Sequence, residues 1–483
     1  MKFNKKNTVT RFVQLFTLLL AFTLSGCEKY LNDTQLPATK IAAAEVYNSD
    51  NTVSTVVTGV FLGMNTSGPF NGGAGTHISY TSGLFTDELR NLAPGNFGDA
   101  FYKNAVQTGQ SPFWSALYSK IFVVNTAIEG ITSSKGNLAF KEQWLGECYF
   151  LRAYFYHLLV NYYGDVPLAL TNDYTVNNKL ARAPQAEVEQ QIIADLKLAQ
   201  SLLSTDYKNG YGLITTNRVR PNKAAATALL ARMYLYTKDW VAAEAASTAL
   251  IADANYALLP LAQVFNANSK ETILSLATQS ARVSSEYAFF NNGMPAVINP
   301  PQGPSNFNIY AAMSNQLLSA FEAGDGRLTN WVRKVTVAST VPTLYYFPNK
   351  YKSAVVNAEY EMLFRLGEQY LIRAEARAMQ NKGTAVDDLN AIRTRAGGLN
   401  PIATNDSQAT LLTAIAKERQ TELFTECGHR FFDLKRTGTI DAVMSVVSPA
   451  KGGTWASYMA YFPIPTNDLI QDPNLKPNPG YIQ

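Results

Sequence analysis

Leu145-Gly146-Glu147-Cys148-Tyr149-Phe150-Leu151-Arg152-Ala153 and Leu366-Gly367-Glu368-Gln369-Tyr370-Leu371-Ile372-Arg373-Ala374 are two copies of one stretch. A weaker third copy, Leu230-Ala231-Arg232-Met233-Tyr234-Leu235, lies between them. All three share the pattern Leu-small-x-x-Tyr. On a helix the Leu and the Tyr stand one turn apart and share a face. The small residue next to the Leu lets a second helix approach, and the Tyr fills the space beside it.

This is the first-helix signature of a tetratricopeptide repeat, and the rest of the repeat unit follows it. Lys223 to Thr237 reads as one helix, Lys238-Asp239-Trp240 as a turn, and Val241 to Ala252 as an Ala-rich second helix with Ala243 at the close approach. In the last copy Leu363 to Gln380 is the first helix, Asn381-Lys382-Gly383 breaks it, and Ala385 to Arg395 is the second. Further helices are expected at Phe113–Gly130, Gln143–Tyr163, Glu187–Leu203 and Ala409–Glu426. The segments Asn65–Ser111, Ser280–Tyr310 and Val335–Asn357 are rich in Gly, Pro, Asn, Ser and aromatics and poor in charge. They read as long loops, a length class that tends to carry function. Pro463 to Tyr481 is too rich in Pro for regular structure. The expected fold is mainly α: tetratricopeptide-like hairpins wound as a superhelix, with long loop-rich excursions and few short strands.

Only 16% of the 483 residues are charged and 47% are hydrophobic, ample for a large core and incompatible with a disordered chain. Four of the 41 cations (Lys2, Lys5, Lys6 and Arg11) precede the first acid, Glu28. A chain cut before Cys27 would therefore carry 37 charges of each sign, which excludes nucleic acid as a partner on electrostatic grounds. The four cations are followed by a 14-residue, mostly apolar run, Phe12 to Ser25. That length suits a signal peptide and is too short to span a bilayer as a helix. The run ends Leu24-Ser25-Gly26-Cys27, similar to a bacterial lipobox, so Cys27 is expected to be lipidated (acyl chains such as palmitate). The mature protein is then anchored to a membrane without being embedded in it.

Cys148 and Cys427 are expected to be buried thiols. No Cys/His spacing indicates a metal, and no cofactor is expected. Among the three histidines, His157 lies in an apolar helix and His429 within a charged motif, where each reads as a packed residue. GxSxG, HExxH and Walker patterns are absent. Asp87-Glu88 is the most tempting carboxylate pair for glycoside hydrolysis, but adjacent side chains diverge, and catalysis is the poorer reading.

Six sequence words in order resemble the SusD/RagB family of Bacteroidetes outer-membrane lipoproteins, over essentially the whole mature length. They are Leu151-Arg152-Ala153 with Tyr163-Gly164-Asp165-Val166-Pro167-Leu168; Arg182, Glu187-Val188 and Asp195-Leu196; Asp325 and Arg327; Asn390-Ala391-Ile392-Arg393-Thr394-Arg395-Ala396-Gly397; Glu418-Arg419, Glu422-Leu423 and Gly428 to Arg436; and Phe462-Pro463-Ile464-Pro465 with Asn478-Pro479-Gly480-Tyr481. Cys427 and Lys476-Pro477 depart from the pattern. Arg393, Arg395, Arg419, Arg430 and Arg436 alternate with Glu418, Glu422, Glu426 and Asp433, which reads as buried ion pairs fixing helix packing in preference to an anion site.

The resemblance implies a signal peptide over 1–26, then an N-terminal part (27–230) and a C-terminal part (231–483) forming one compact unit. It implies a cell-surface lipoprotein of the outer membrane whose helical face packs on a SusC-like TonB-dependent transporter. The loop-rich face would capture a nutrient, usually an oligosaccharide, and the protein would act as a lid. A tetratricopeptide-type surface protein binding peptides or other solutes is the alternative, and a glycoside hydrolase a more distant one. Sugars stack their C–H faces on aromatic rings and bond through their hydroxyls to amides and charged groups. The candidate ligand-binding residues are therefore Asn96, Phe97, Phe101 and Tyr102 in the first loop, and Tyr287, Phe289, Phe290, Asn291 and Asn292 in the second.

Overall fold

In the computed structural model, residues 45–71, 77–278, 282–403 and 406–481 are described; the lipobox and Cys27 lie outside them. Each Leu-small-x-x-Tyr stretch lies in a helix: Lys141–Tyr163, Lys223–Tyr236 and Leu366–Met379. Among the described residues, eighteen α-helices stand against nine strands of two to six residues, a mainly α protein. Lys141–Tyr163 packs between Trp114–Ser133 and Gln185–Leu202, Lys223–Tyr236 pairs with Trp240–Ile251, and Leu366–Met379 packs on Trp240–Ile251 and pairs with Ala385–Ala396. Ala231 and Ala243 meet Ile372 and Ala376 in one small-residue contact between the hairpins. No described helix is long and apolar enough to cross a membrane.

The small residue after the Leu serves two different purposes. A Cβ on Gly146 would stand 2.8 Å from Leu203 Cγ, so this glycine lets the end of the neighbouring helix approach. A Cβ on Gly367 meets a different obstacle: the Arg365 guanidinium, with Glu271 Oε1 at 3.0 Å and Glu422 Oε1 at 3.3 Å. The copy at 366–374 thus makes room for an ion network, and the close approach expected there is one of charge and backbone. The residue after the small one is charged in all three copies, and each charge is buried and paired. Glu147 takes Arg220 at 2.6 Å, and Arg232 takes Glu368 at 2.7 Å, joining the second and third copies.

Two helix boundaries differ from expectation for identifiable reasons. Residues 363–365 belong to the strand Glu361–Arg365, which pairs antiparallel with Thr272–Leu276, so the helix begins only at Leu366. The helix expected to reach Glu426 stops at Glu422, because Lys350 Nζ takes the carbonyls of Glu422 and Phe424, at 2.9 and 2.8 Å, and Arg365 also takes that of Glu422.

The three loop-rich segments hold more regular structure than their composition suggests. The first contains the helices Ile78–Phe85 and Gly98–Tyr102 and the strand Leu89–Asn91. Ile78–Phe85 is buried on every side, so it carries no apolar stripe to read. The second contains the helix Ser285–Phe290. The third contributes to a three-stranded sheet in which Val332–Val337 pairs with Thr343–Pro348 (antiparallel) and Val297–Ile298 (parallel). Leu89–Asn91 pairs with Ala311–Met313, and Met294, Ile298, Val335 and Phe347 form a separate small core with Leu92 packed on it. The three segments therefore make one body.

The C-terminal Pro/Asn stretch holds one short helix, Thr466–Gln471, and a clasp. Asn478 is buried and donates to the carbonyls of Tyr163, at 3.0 Å, and Phe462, at 2.8 Å. Arg182 donates to the carbonyls of Asp165, Lys476 and Pro477. The words containing Tyr163, Arg182, Phe462 and Asn478 are thus sewn together. Cys148 and Cys427 are free and buried.

Candidate functional site

The loop body separates the candidate residues by accessibility. Phe97 caps the helix Gly98–Tyr102 and is 40% exposed. Asn96 and Tyr102 are half-buried beside it and Asn292 is exposed. Tyr287 is half-buried against the cluster containing Phe265 and Trp331. The remaining four are interior. Phe101 is fully buried, with its ring centre 5.3 Å from Phe97 and 5.8 Å from Phe462. Phe289 stacks on Tyr80 at 5.2 Å, Phe290 is buried beside it, and Asn291 donates to the Tyr351 carbonyl at 2.8 Å. Those four hold the segments on the helices. Of the nine candidates, Phe97 and Asn292 are exposed and Asn96, Tyr102 and Tyr287 are half-buried.

Around Phe97 the fold adds residues that sequence reasoning missed. Asn91 Nδ2 reaches Asn96 Oδ1 at 3.4 Å and Asp99 Oδ1 at 3.1 Å, so the turn is pre-organised by its own amides. Tyr80, whose phenol burial pushes up to about 12, bonds Asn96 and neighbours Tyr310. Arg90 lies over the Tyr345 ring at 4.9 Å, bringing the first and third segments together. The sequence signal for Arg90, Asn91, Tyr310 and Tyr345 was only their place inside the three loop-rich segments; strand pairing sets their positions.

The alternating Arg and Glu residues are buried ion pairs. Arg365 bonds Glu271 at 3.0 Å, Glu422 at 2.6 Å and Glu426 at 2.7 Å. Arg327 joins Asp325, Glu418 and Glu422, Arg393 joins Glu322 and Glu418, and Arg395 joins Glu271 and Glu422. The surrounding guanidinium groups outweigh burial and hold the Glu422 carboxyl well below the usual range. Arg419 and Arg436 share Asp433.

Asp87 is clamped by Arg430 through bonds of 2.8 and 2.7 Å, and burial, with Asp87 beside it, pushes Glu88 up to about 8. The pair is thus structural in its contacts. Burial drives His157 and His429 well below the usual histidine range, so both are neutral packing residues. On the helical side a groove of about 530 Å3 is lined by Trp240, Met379, Leu412, Ala416, Arg430 and Arg436.

Residues 93–235 match a SusD-like family described as starch-binding and associating with the outer membrane, and residues 329–481 match the SusD family itself. The chain belongs to the SusD/RagB family. SusD-like protein P25 of Formosa agariphila is 25% identical over an alignment of 527 residues, covering 95% of this chain and 96% of that one. The starch-binding protein SusD of Bacteroides thetaiotaomicron is 36% identical over 124 residues, 25% of this chain and 21% of that one. A solved laminarin-binding SusD-like protein superposes with a TM-score of 0.74 at 24% identity, over 90% of this chain and all of the other, a likeness of fold. The SusD/RagB words of the sequence accordingly map onto the ion network and the C-terminal clasp. Phe97 and its neighbours lie outside those words.

Proposed function

We propose that this SusD/RagB protein is a surface receptor for a glycan, held to the outer membrane by a lipid on Cys27. It would deliver the captured oligosaccharide to a SusC-like TonB-dependent transporter, closing over the barrel as a lid. The observation that carries the reading is the half-exposed Phe97 ring set among Asn96, Tyr102, Asn91 and Arg90 on a face built of loops. A flat ring gives a sugar its stacking surface, and the amides and guanidinium meet the hydroxyl rim. Membership of a family that includes a starch-binding protein supports a glycan as the ligand.

Isothermal titration of the purified mature protein with starch- and laminarin-derived oligosaccharides should find a micromolar ligand, on the order of −8 kcal/mol. Its affinity should change little with salt, because a neutral glycan on a neutral chain offers no strong charge term. Phe97→Ala should weaken binding about tenfold while leaving the melting midpoint nearly unchanged. Phe101→Ala, which removes a buried ring, should instead cost stability. An intact glycan panel without a binder, or turnover of a glycan by the protein, would sink the reading.

The lipid anchor has its own test. Cys27→Ala should release the protein from the membrane fraction or leave it unprocessed, and an intact mass of the wild type without added lipid would refute the anchor.

A further inference from the structure

Three ionisable side chains with no part in the proposed glycan surface meet inside the loop body. His77 immediately precedes the helix Ile78–Phe85, Glu286 lies in the helix Ser285–Phe290, and Glu361 opens the strand Glu361–Arg365. All three are buried, and one nitrogen or oxygen from each lies within 4.8 Å of the others. His77 Nε2 is 3.5 Å from Glu361 Oε1.

The second observation is that several of their polar atoms have no hydrogen-bond partner among the described residues. Among the described residues, neither ring nitrogen of His77, nor Glu286 Oε1, nor Glu361 Oε2 has a hydrogen bond. Buried polar atoms are nearly always satisfied, so unsatisfied atoms on three side chains whose ligand atoms gather within 4.8 Å point to a further partner. His77 is flanked by the rings of Phe70 and Phe289, centred 6.0 and 5.3 Å away, and the Ser79 hydroxyl, the Tyr351 phenol and the Cys427 thiol stand near the two carboxylates. The neighbouring cation, Lys350, is spent on Glu426 and two carbonyls.

We propose that His77, Glu286 and Glu361 bind one divalent metal ion of the zinc class, which ties three distant chain segments together. A charge of +2 neutralises both carboxylates. A separation of 3.5 Å is long for a charge-assisted hydrogen bond. It is close to the edge, about 3.3 Å, of a tetrahedron whose ligands stand at about 2.0–2.1 Å from the ion, while the other separations, bounded at 4.8 Å, would close up on binding wherever they exceed that edge. One imidazole with two carboxylates suits zinc, whereas calcium takes six to eight oxygens.

The test uses the mature protein stripped with a chelator and then titrated with zinc. One equivalent of zinc by mass spectrometry after dialysis is expected, with a melting midpoint raised by roughly 2–5 °C. His77→Ala and Glu286→Gln should lose both effects, while Cys427→Ala keeps them, which separates this site from the buried thiol. Should the first two variants fail to fold, cobalt(II) in the wild-type protein decides: the intense visible absorption of a four-coordinate site supports the proposal, and its absence overturns it. Substoichiometric zinc in the wild type, full binding by a folded His77→Ala variant, or a midpoint that rises with calcium and not with zinc would each overturn it.

Discussion

Arg365→Met should leave the protein at least about 3–5 kcal/mol less stable, enough to lose most soluble material during expression. Arg365 is 1% exposed and holds Glu271, Glu422 and Glu426 through all three guanidinium nitrogens. Removing it takes away the one cation common to three buried carboxylates, leaving Glu271 and Glu422 to Arg395 and Arg327 and Glu426 to Lys350, and the cost is that of under-compensated buried charge. Lysine is no substitute, since one ammonium cannot serve three acids in a planar fork. The half-exposed pair Lys103–Asp99, at 2.7 Å, is the contrast: breaking it should cost about 0–1 kcal/mol. Urea unfolding of both variants gives the comparison, and a loss under about 1 kcal/mol for Arg365→Met would show that the network is not what holds this layer.

Gly367→Ala should cost about 1–3 kcal/mol although it adds one methyl group to a good helix position. The new Cβ would collide with the Arg365 guanidinium and stand 3.0 Å from Glu271 Oε1. A free side-chain end would simply swing aside, but this one is locked by three acids. The double variant isolates the cause. In an Arg365→Met background, if it folds far enough to be measured, Gly367→Ala should cost less than about 0.5 kcal/mol, because the obstacle has gone. If that background fails to fold, Gly146→Ala is the comparison, because its Cβ would press on Leu203, a different neighbour. Equal losses at Gly367 in both backgrounds would mean that the glycine serves helix packing.

What could be read from the sequence was what is encoded locally. The hairpins at 223–252 and 363–395 followed from a one-turn period and a Gly/Asn break, and their ends moved by only a few residues. Where they moved further, the cause was non-local: a strand partner at Thr272–Leu276, or Lys350 taking the last carbonyls of a helix. The three glycine-type positions looked alike, yet the neighbours that give Gly146 and Gly367 their roles come from other elements. The site was less legible for the same reason. Phe97 and Phe101 lie four residues apart in the same loop composition, and only the fold decides that one faces solvent and the other faces Phe462. His77, Glu286 and Glu361 share no spacing at all; they meet because the first two loop-rich segments pack beside the strand Glu361–Arg365.

The C-terminal clasp has a consequence in time. Asn478 closes on Tyr163 and Phe462, and Arg182 closes on Lys476 and Pro477. A polypeptide that emerges with its N-terminus first must expose nearly its whole length before this layer can be finished. Closures between such distant residues are slow to form. Until residue 478 is out, the carbonyls of Tyr163 and Phe462 wait without their partner, and the helix Lys141–Tyr163 lacks its final lock. With Asn478 and Tyr163 standing 315 residues apart in the chain, the clasp is a late closure and not a folding nucleus.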